Sequence, residues 1–323
     1  MIDSSYRNLI FLSEPDRYGR FGHQSFSLLT SWLFAHRFNC HFLPNQYSYF
    51  ASKYNDYVDF SSSSRSTSII PSNTRYLRLE GSLPDHVGNT KFNLEDSKSI
   101  QSFLLSLQSA RRTSKEPICL QLPFDQTAGV FFTSINASMH SDLRQIFGKL
   151  ICRRAHDYPI SIAIHIRRGD VNEDSHPSWY IKDFYYLNLV YALFLFFKDG
   201  INVNIVTQGE ILFHTHPELQ SYVSSGQLRI NCASQNFIND DEIEDFSNLL
   251  NADLLFSGQS SFSQLASLIR FGRIQVCVVK EQNSRLPHPI DVEVMAYALS
   301  DLSSIERAKT FVAKHLSHLL KKS

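Results

Sequence analysis

Two hydrophobic patterns take turns along the chain. Short runs rich in β-branched residues read as strands, and longer stretches with apolar positions every three or four residues read as helices. Asn8 to Leu12 is the first such strand, and Gln24 to Phe38 the first helix, with Phe26, Leu29, Trp32, Leu33 and His36 at helical spacing. Asn39 to Pro44 predicts a second strand, Asn93 to Arg112 a helix, Ile118 to Leu122 a strand and Leu143 to Cys152 a helix. A break at Arg153 to Pro159 precedes the strongest run, Ile160 to Ile166. Beyond it the spacing predicts a very apolar helix over Phe184 to Lys198 and strands over Val203 to Thr207 and Leu228 to Ile230. There follow a short helix face (Phe246, Leu249, Leu250), a strand at Ala252 to Phe256, a helix at Gln264 to Arg270, a strand at Ile274 to Val279 and an amphipathic helix from Ile305 to Leu320. This alternation predicts an α/β fold with two Rossmann-like domains, residues 1–155 and 156–300, followed by a C-terminal helical segment, 301–323. Gln46 to Phe92 fits neither period, and Ser61 to Ser68 inside it reads as an exposed, serine-rich loop. No internal repeat interrupts this order.

Composition narrows the class. With 323 residues there is chain enough for two cores, and 43% hydrophobic against 19% charged content is that of a globular protein. The 31 basic and 31 acidic residues cancel, so no global field favours nucleic acid or an anionic membrane, and anion recognition has to be local. Cys40, Cys119, Cys152, Cys232 and Cys277 are scattered without a Cys-x-x-Cys pair, which argues against zinc or a disulfide framework and for reduced, mostly buried thiols. No basic stretch followed by a long apolar one opens the sequence, and the longest apolar run, Leu189 to Phe197, is too short to span a bilayer. A cytoplasmic protein is the expectation.

The chemistry concentrates where Ile160–Ile166 ends, in His165-Ile166-Arg167-Arg168-Gly169-Asp170. A buried strand that runs into two arginines delivers them to the carboxyl edge of an α/β sheet, where ligands sit. A guanidinium matches a phosphate bidentately, Gly169 allows a tight turn, and Asp170 can pin one arginine while the other stays available. A salt-bridged surface turn would use the same residues. Ser257 to Ser263 reads as a turn before a helix, which offers backbone N–H groups and hydroxyls to an anion, although an N-cap needs only one serine. Gly19-Arg20-Phe21-Gly22-His23-Gln24 reads as a strand-to-helix loop, and Val171 to Pro177 as an acidic loop over the arginines.

His165 to Asp170 resembles the His-x-Arg-Arg-x-Asp signature of fucosyltransferases that use GDP-fucose, the α1,2-fucosyltransferases and related O-fucosyltransferases. Gly19 to Gln24 is similar to that group's Gly-x-x-Gly-Asn-Gln, with His23 in place of Asn. The stretch from Asp245 to Phe262 resembles its C-terminal signature of an acidic residue, an apolar helix and strand, and Ser-Ser-Phe. Together these cover the glycine loop and most of the chain from Ile118 onward; the acidic residues common after the strand ending at Thr207 are missing except for Glu210. The resemblance implies two facing Rossmann-like domains of the GT-B type, with the C-terminal helix packing back towards the domain junction. It also implies an inverting transfer of fucose from GDP-fucose to a glycan hydroxyl, as in microbial surface polysaccharide synthesis, with arginine in place of a metal and no cofactor.

On the matching positions, Arg167 and Arg168 hold the diphosphate, with His165, Gly22 and Asp170 beside them. Ser260, Ser261 and Phe262 form the serine turn that touches the diphosphate, and Asp245 accepts from guanine. Glu173, Asp174 and His23 are the candidates for a base. The partners expected are the donor and a glycan acceptor, without nucleic acid. A lipid-linked acceptor would bring the protein to the inner face of the membrane. A non-catalytic binding protein of the same fold and a transferase for another nucleotide sugar are the alternatives.

Overall fold

The structure is a computed structural model, and it describes residues 9–13, 21–44, 54–78, 117–122, 137–151, 158–169, 171–177, 180–209, 211, 213, 216–232, 241–258, 260–270, 274–279, 294–298 and 302–317. The chain divides into two compact units, Met1–Ile151 with Pro287–Ile290, and Cys152–Leu286 with Asp291–Ser323. Among the described residues no helix is long and apolar enough to cross a membrane. The helix expected over Asn93 to Arg112 lies outside the described residues.

The first unit is built on a parallel sheet of β1 (Leu9–Ser13), β2 (His41–Phe42), β3 (Arg75–Arg78) and β4 (Ile118–Leu122), in the order β2-β1-β4-β3. Helix α1 (Phe21–Phe38) connects β1 to β2 and starts three residues before the apolar periodicity does. Gly22 and His23 therefore belong to its first turn and not to the expected loop. Helix α2 (Ala137–Ile146) also starts early and gives way to a 3-10 turn at Gly148–Leu150, which keeps Leu150 buried although the α-helix has ended. An aromatic core joins these pieces: Phe11 lies 5.4 Å from Phe34, Phe42 is 6.4 Å from Phe60, and Phe60 is 5.9 Å from Phe147. The serine stretch is exposed at Ser61, Ser62 and Ser64, as expected, but Ser63 is buried.

The second unit carries six parallel strands: β5 (Ile160–Ile166), β6 (Ile201–Thr207), β7 (Leu228–Cys232), β8 (Leu254–Ser257), β9 (Ile274–Val279) and β10 (Val294–Ala298). Their order is β10-β9-β8-β5-β6-β7. Counted from β5 as the first strand, that is the 3-2-1-4-5-6 order of a doubly wound fold, with its switch point between β5 and β8. All seven residues of β5 are buried, which is why this central strand has no polar alternation before its end. Helix α3 (Asp183–Phe197) is apolar nearly all round because it is covered twice. It belongs to the core that also contains β5 and β6, and α7 (Ile305–Leu316) packs along it. The residues α7 buries, Ala308, Phe311, Val312 and Leu316, recur at three- and four-residue steps. The terminal helix thus has its partner inside this unit. A polar pin crosses the apolar contact: Asn188 Nδ2 donates to the Leu302 carbonyl at 2.8 Å, and its Oδ1 sits 2.8 Å from His216 Nε2. Helices α4 (Leu219–Ser224), α5 (Asp241–Asn251) and α6 (Ser261–Ile269) complete the layers.

Candidate functional site

In a doubly wound sheet the connections leave in opposite directions at the switch point, and this opens a crevice at the carboxyl ends of the two central strands. Here those ends are the arginine turn after β5 and the serine turn after β8. The His165 ring, buried on β5, lies 5.6 Å from the Phe262 ring in the first turn of α6, and Phe262 lies 5.3 Å from Phe246 on α5. A Cβ on Gly258 would sit 3.7 Å from the His165 carbonyl oxygen and 4.0 Å from the Tyr186 hydroxyl. His165, Gly258, Phe262, Phe246 and, next to it, Asp245 are thereby gathered around one edge. Asp245 is a buried carboxylate on α5.

Ser260 is the N-cap of α6, in extended conformation, and its hydroxyl accepts from the Phe262 N–H at 3.3 Å. Ser261 is the first helical residue and Ser263 is buried, its hydroxyl donating to the Gly258 carbonyl at 3.3 Å. The helix begins three residues before the position the apolar spacing indicates, because the serines supply the cap. Its C-terminal neighbour Arg270 is 2% exposed and donates to the Leu249 carbonyl at 2.9 Å, to Leu250 at 3.1 Å and to Ala252. These are the carbonyls that the end of α5 leaves without helical partners, so Arg270 caps α5 and fixes it against β8. Asp253 ties the same junction to the start of β5 by accepting from the Ser161 N–H at 2.8 Å and its hydroxyl at 3.0 Å.

The two arginines part company at the end of β5. Arg168 Nη1 donates to the Arg167 carbonyl at 2.9 Å, Nη2 donates to the Ile181 carbonyl at 2.6 Å, and Nη2 also pairs with the Asp183 carboxylate at the start of α3. Its guanidinium carbon lies 4.5 Å over the Tyr180 ring. Both Nη groups are thus committed to protein partners, and the carboxylate on Arg168 is Asp183. Asp170, expected in that role, lies outside the described residues. Alternation carried one step past β5 assigns Arg167, which is half-buried, to the His165 face and Arg168 to the α3 side. Gly169 has φ +83°, a backbone conformation that favours glycine, and a Cβ there would only have to displace the flexible end of Gln208.

The acidic candidates for a base stand in water. Glu173 is exposed and paired with exposed Lys182 at 3.1 Å. Asp174 is exposed within an Asx turn in which Asn172 Oδ1 accepts from the Asp174 N–H at 3.0 Å and the Ser175 N–H at 2.7 Å. Gly22, buried, and His23 belong to the first unit, whereas every other candidate belongs to the second. Among the described residues no group of three His, Cys, Asp or Glu side chains is gathered as a metal site. Asp183, Tyr180 and Gln208 are the residues that the sequence reading leaves out. Asp183 had a visible signal, an aspartate just before a long apolar helix, the position favoured in a first turn.

No protein-family model matches the chain, and no curated protein matches it. Among solved structures it is similar to the ADP-heptose lps heptosyltransferase II of E. coli, with 12% identity and a TM-score of 0.43 over 97% of this chain and 98% of that one.

Proposed function

We propose that the protein is a glycosyltransferase whose second unit binds a nucleoside diphosphate sugar at the crevice between β5 and β8. One observation carries this reading: the arginine turn and the serine-capped helix start, far apart in the chain, leave adjacent strands at the switch point of a 3-2-1-4-5-6 sheet. Arg167 and the N-terminus of α6 are the cationic and dipolar groups that a diphosphate needs, and they stabilise it more as it departs with the negative charge. Phe262, packed between the rings of His165 and the fully buried Phe246, supplies an apolar surface to the site. Asp245 is suited to accept from the paired donors on the guanine edge, and with the sequence resemblance this favours GDP-fucose as donor.

In this reading the transfer inverts the sugar, needs no metal and delivers fucose to a glycan hydroxyl. A second reading, a sugar-nucleotide-binding protein without catalysis, is favoured by the exposure of Glu173 and Asp174 and by the pairing of Glu173 to Lys182. Calorimetry with GDP, UDP and ADP in the presence of EDTA tests the proposal. GDP should bind and UDP should not. Binding of none of the three, or binding that requires added manganese, overturns it.

A further inference from the structure

We infer that Asp183 is a positioning residue for Arg167 and acts on it through Arg168; the inference rests on the proposed role of Arg167 in binding the diphosphate. Arg168 is a planar fork with its arms in fixed relation, so holding one arm determines the other. Nη2 is held by the Asp183 carboxylate and the Ile181 carbonyl, and the Tyr180 ring lies 4.5 Å from the guanidinium carbon. Nη1 then lands on the carbonyl of Arg167 itself, 2.9 Å away. The peptide that leaves Arg167 is thereby oriented by a carboxylate fifteen residues downstream of Arg168.

The surroundings allow little escape. Arg168 is 11% and Asp183 26% exposed as side chains, so the pair is only partly screened. Asp183 stands in the first turn of α3, where the helix dipole also favours its charge. The strap does two things together. It ties Ile181 and Asp183 to the end of β5, and it fixes the backbone from which the Arg167 side chain starts. A preorganised guanidinium loses less freedom when it meets a diphosphate, so affinity depends on a carboxylate that does not touch the ligand.

The test uses the full chain and the variants Asp183→Asn, Asp183→Glu, Arg168→Lys and the double variant Arg168→Lys/Asp183→Asn. Hydrogen exchange without ligand reads the strap by itself: amides between residues 168 and 183 should exchange faster in Asp183→Asn than in the parent, and Asp183→Glu should restore much of the protection. GDP calorimetry, well below the melting temperature, reads the positioning. Asp183→Asn should bind GDP about tenfold more weakly, and the double variant no more weakly than Arg168→Lys alone, because the two residues act in series. Unchanged exchange in Asp183→Asn removes the strap. Faster exchange with parental GDP affinity leaves a purely structural ion pair and overturns the inference. A double variant whose losses add would place Arg168 on the ligand. If the parent binds no GDP, the proposed function and the role of Arg167 in it both fail, while the exchange result still decides the strap.

Discussion

The end of β5 and the junction of α1, α2 and the serine loop each gather polar groups around one charged side chain. At the second, Asp142 on α2 accepts from Trp32 Nε1–H at 2.6 Å, from the Ser64 N–H at 2.9 Å and from the Ser63 hydroxyl. His36 Nε2 lies 3.0 Å from the same carboxylate, and since a carboxylate can only accept, that nitrogen carries the proton. Burial pushes the Asp142 carboxyl up, but the bonds from His36, Ser63, Trp32 and Ser64 outweigh it and hold the group well below the usual carboxylate range. The two places lie at opposite edges of their sheets. His36 is in the last turn of α1, which leaves the carboxyl edge after β1 and returns to the amino edge before β2, whereas Arg168 stands at a carboxyl edge. Ligands of α/β sheets bind at carboxyl edges, so an equally dense network at the amino edge serves the fold. A motif that looks like binding chemistry therefore has to be read with its place on the sheet, and even then one arginine of the pair has both Nη groups bonded to protein partners.

The hardest way to break this comparison is Asp142→Ala. It strands the buried donors of Trp32 and Ser63 and the part-buried ones of His36 and Ser64, and should destabilise the protein by about 3 kcal/mol in urea unfolding. GDP affinity, measured well below the transition, should stay parental. A loss under about 1 kcal/mol would mean that the network is not what fastens the serine loop. Arg167→Lys is the mirror case. It keeps the charge and loses the fork, so stability should survive and GDP should still bind, weakened at least as much as in Asp183→Asn. Slow hydrolysis of GDP-fucose in the absence of an acceptor should fall about a hundredfold. Near-parental hydrolysis would make the arginine turn a structural feature throughout.

The strands of the second unit are legible because parallel strands covered on both faces are unbroken apolar runs. Ile274–Val279 comes out with the predicted bounds, and the run that opens at Ile160 is an unbroken buried strand through Ile166. Helix starts are less legible, since the first turn is fixed by caps and chain entry: α1 takes in Gly22 and His23, and α6 begins at Ser261 on its serine cap. Strands β3 and β10 were not read at all; β3 lies in a stretch without clear periodicity, and Tyr76 there is exposed. The arginine and serine turns are legible as a candidate site, but the partners their side chains take do not follow from spacing. Asp183 as the partner of Arg168, and Asp142 as the anchor of Ser63, are meetings across 15 and 79 residues that only the fold supplies.

Acid should sharpen the contrast. Burial, helped by the Arg144 charge, lowers the pKa of His140 on α2 from 6.5 to about 4. Between those values the unfolded chain holds the proton that the folded protein refuses, so stability is full above about pH 6.5 and falls as pH drops towards about 4. The loss should be on the order of 1–2 kcal/mol. At still lower pH the depressed Asp142 carboxyl acts in the same direction, because its contribution is present above the unfolded-state pKa and disappears as the group is protonated. Melting temperatures of the parent and of His140→Gln between about pH 7.5 and about pH 4.5 check this. The variant should lose most of the slope above pH 5 or so, and an unchanged slope would assign it to other groups.

The smallest effect is expected at Glu173, the outer rung next to the Arg168–Asp183 pair. Its partner Lys182 is 57% exposed and Glu173 63%, against 11% and 26% for the inner pair. Pairs so open to water exchange one set of hydrogen bonds for another and add almost nothing. Glu173→Gln should leave the unfolding midpoint where it is, while Asp183→Asn moves it. Its consequence for the chemistry is sharper than its size. A general base must be fixed within reach of the acceptor hydroxyl, and a carboxylate 63% exposed in a weak pair with Lys182 is poorly fixed for that. Donor hydrolysis and transfer by Glu173→Gln should therefore stay within about threefold of the parent, against the hundredfold or more that loss of a working base produces. A hundredfold fall with an unmoved midpoint would show that the Lys182 pair opens during turnover and return Glu173 to the reaction. A silent variant removes it, and the contrast between the two rungs then becomes one between a residue that positions Arg167 and a residue that only faces water.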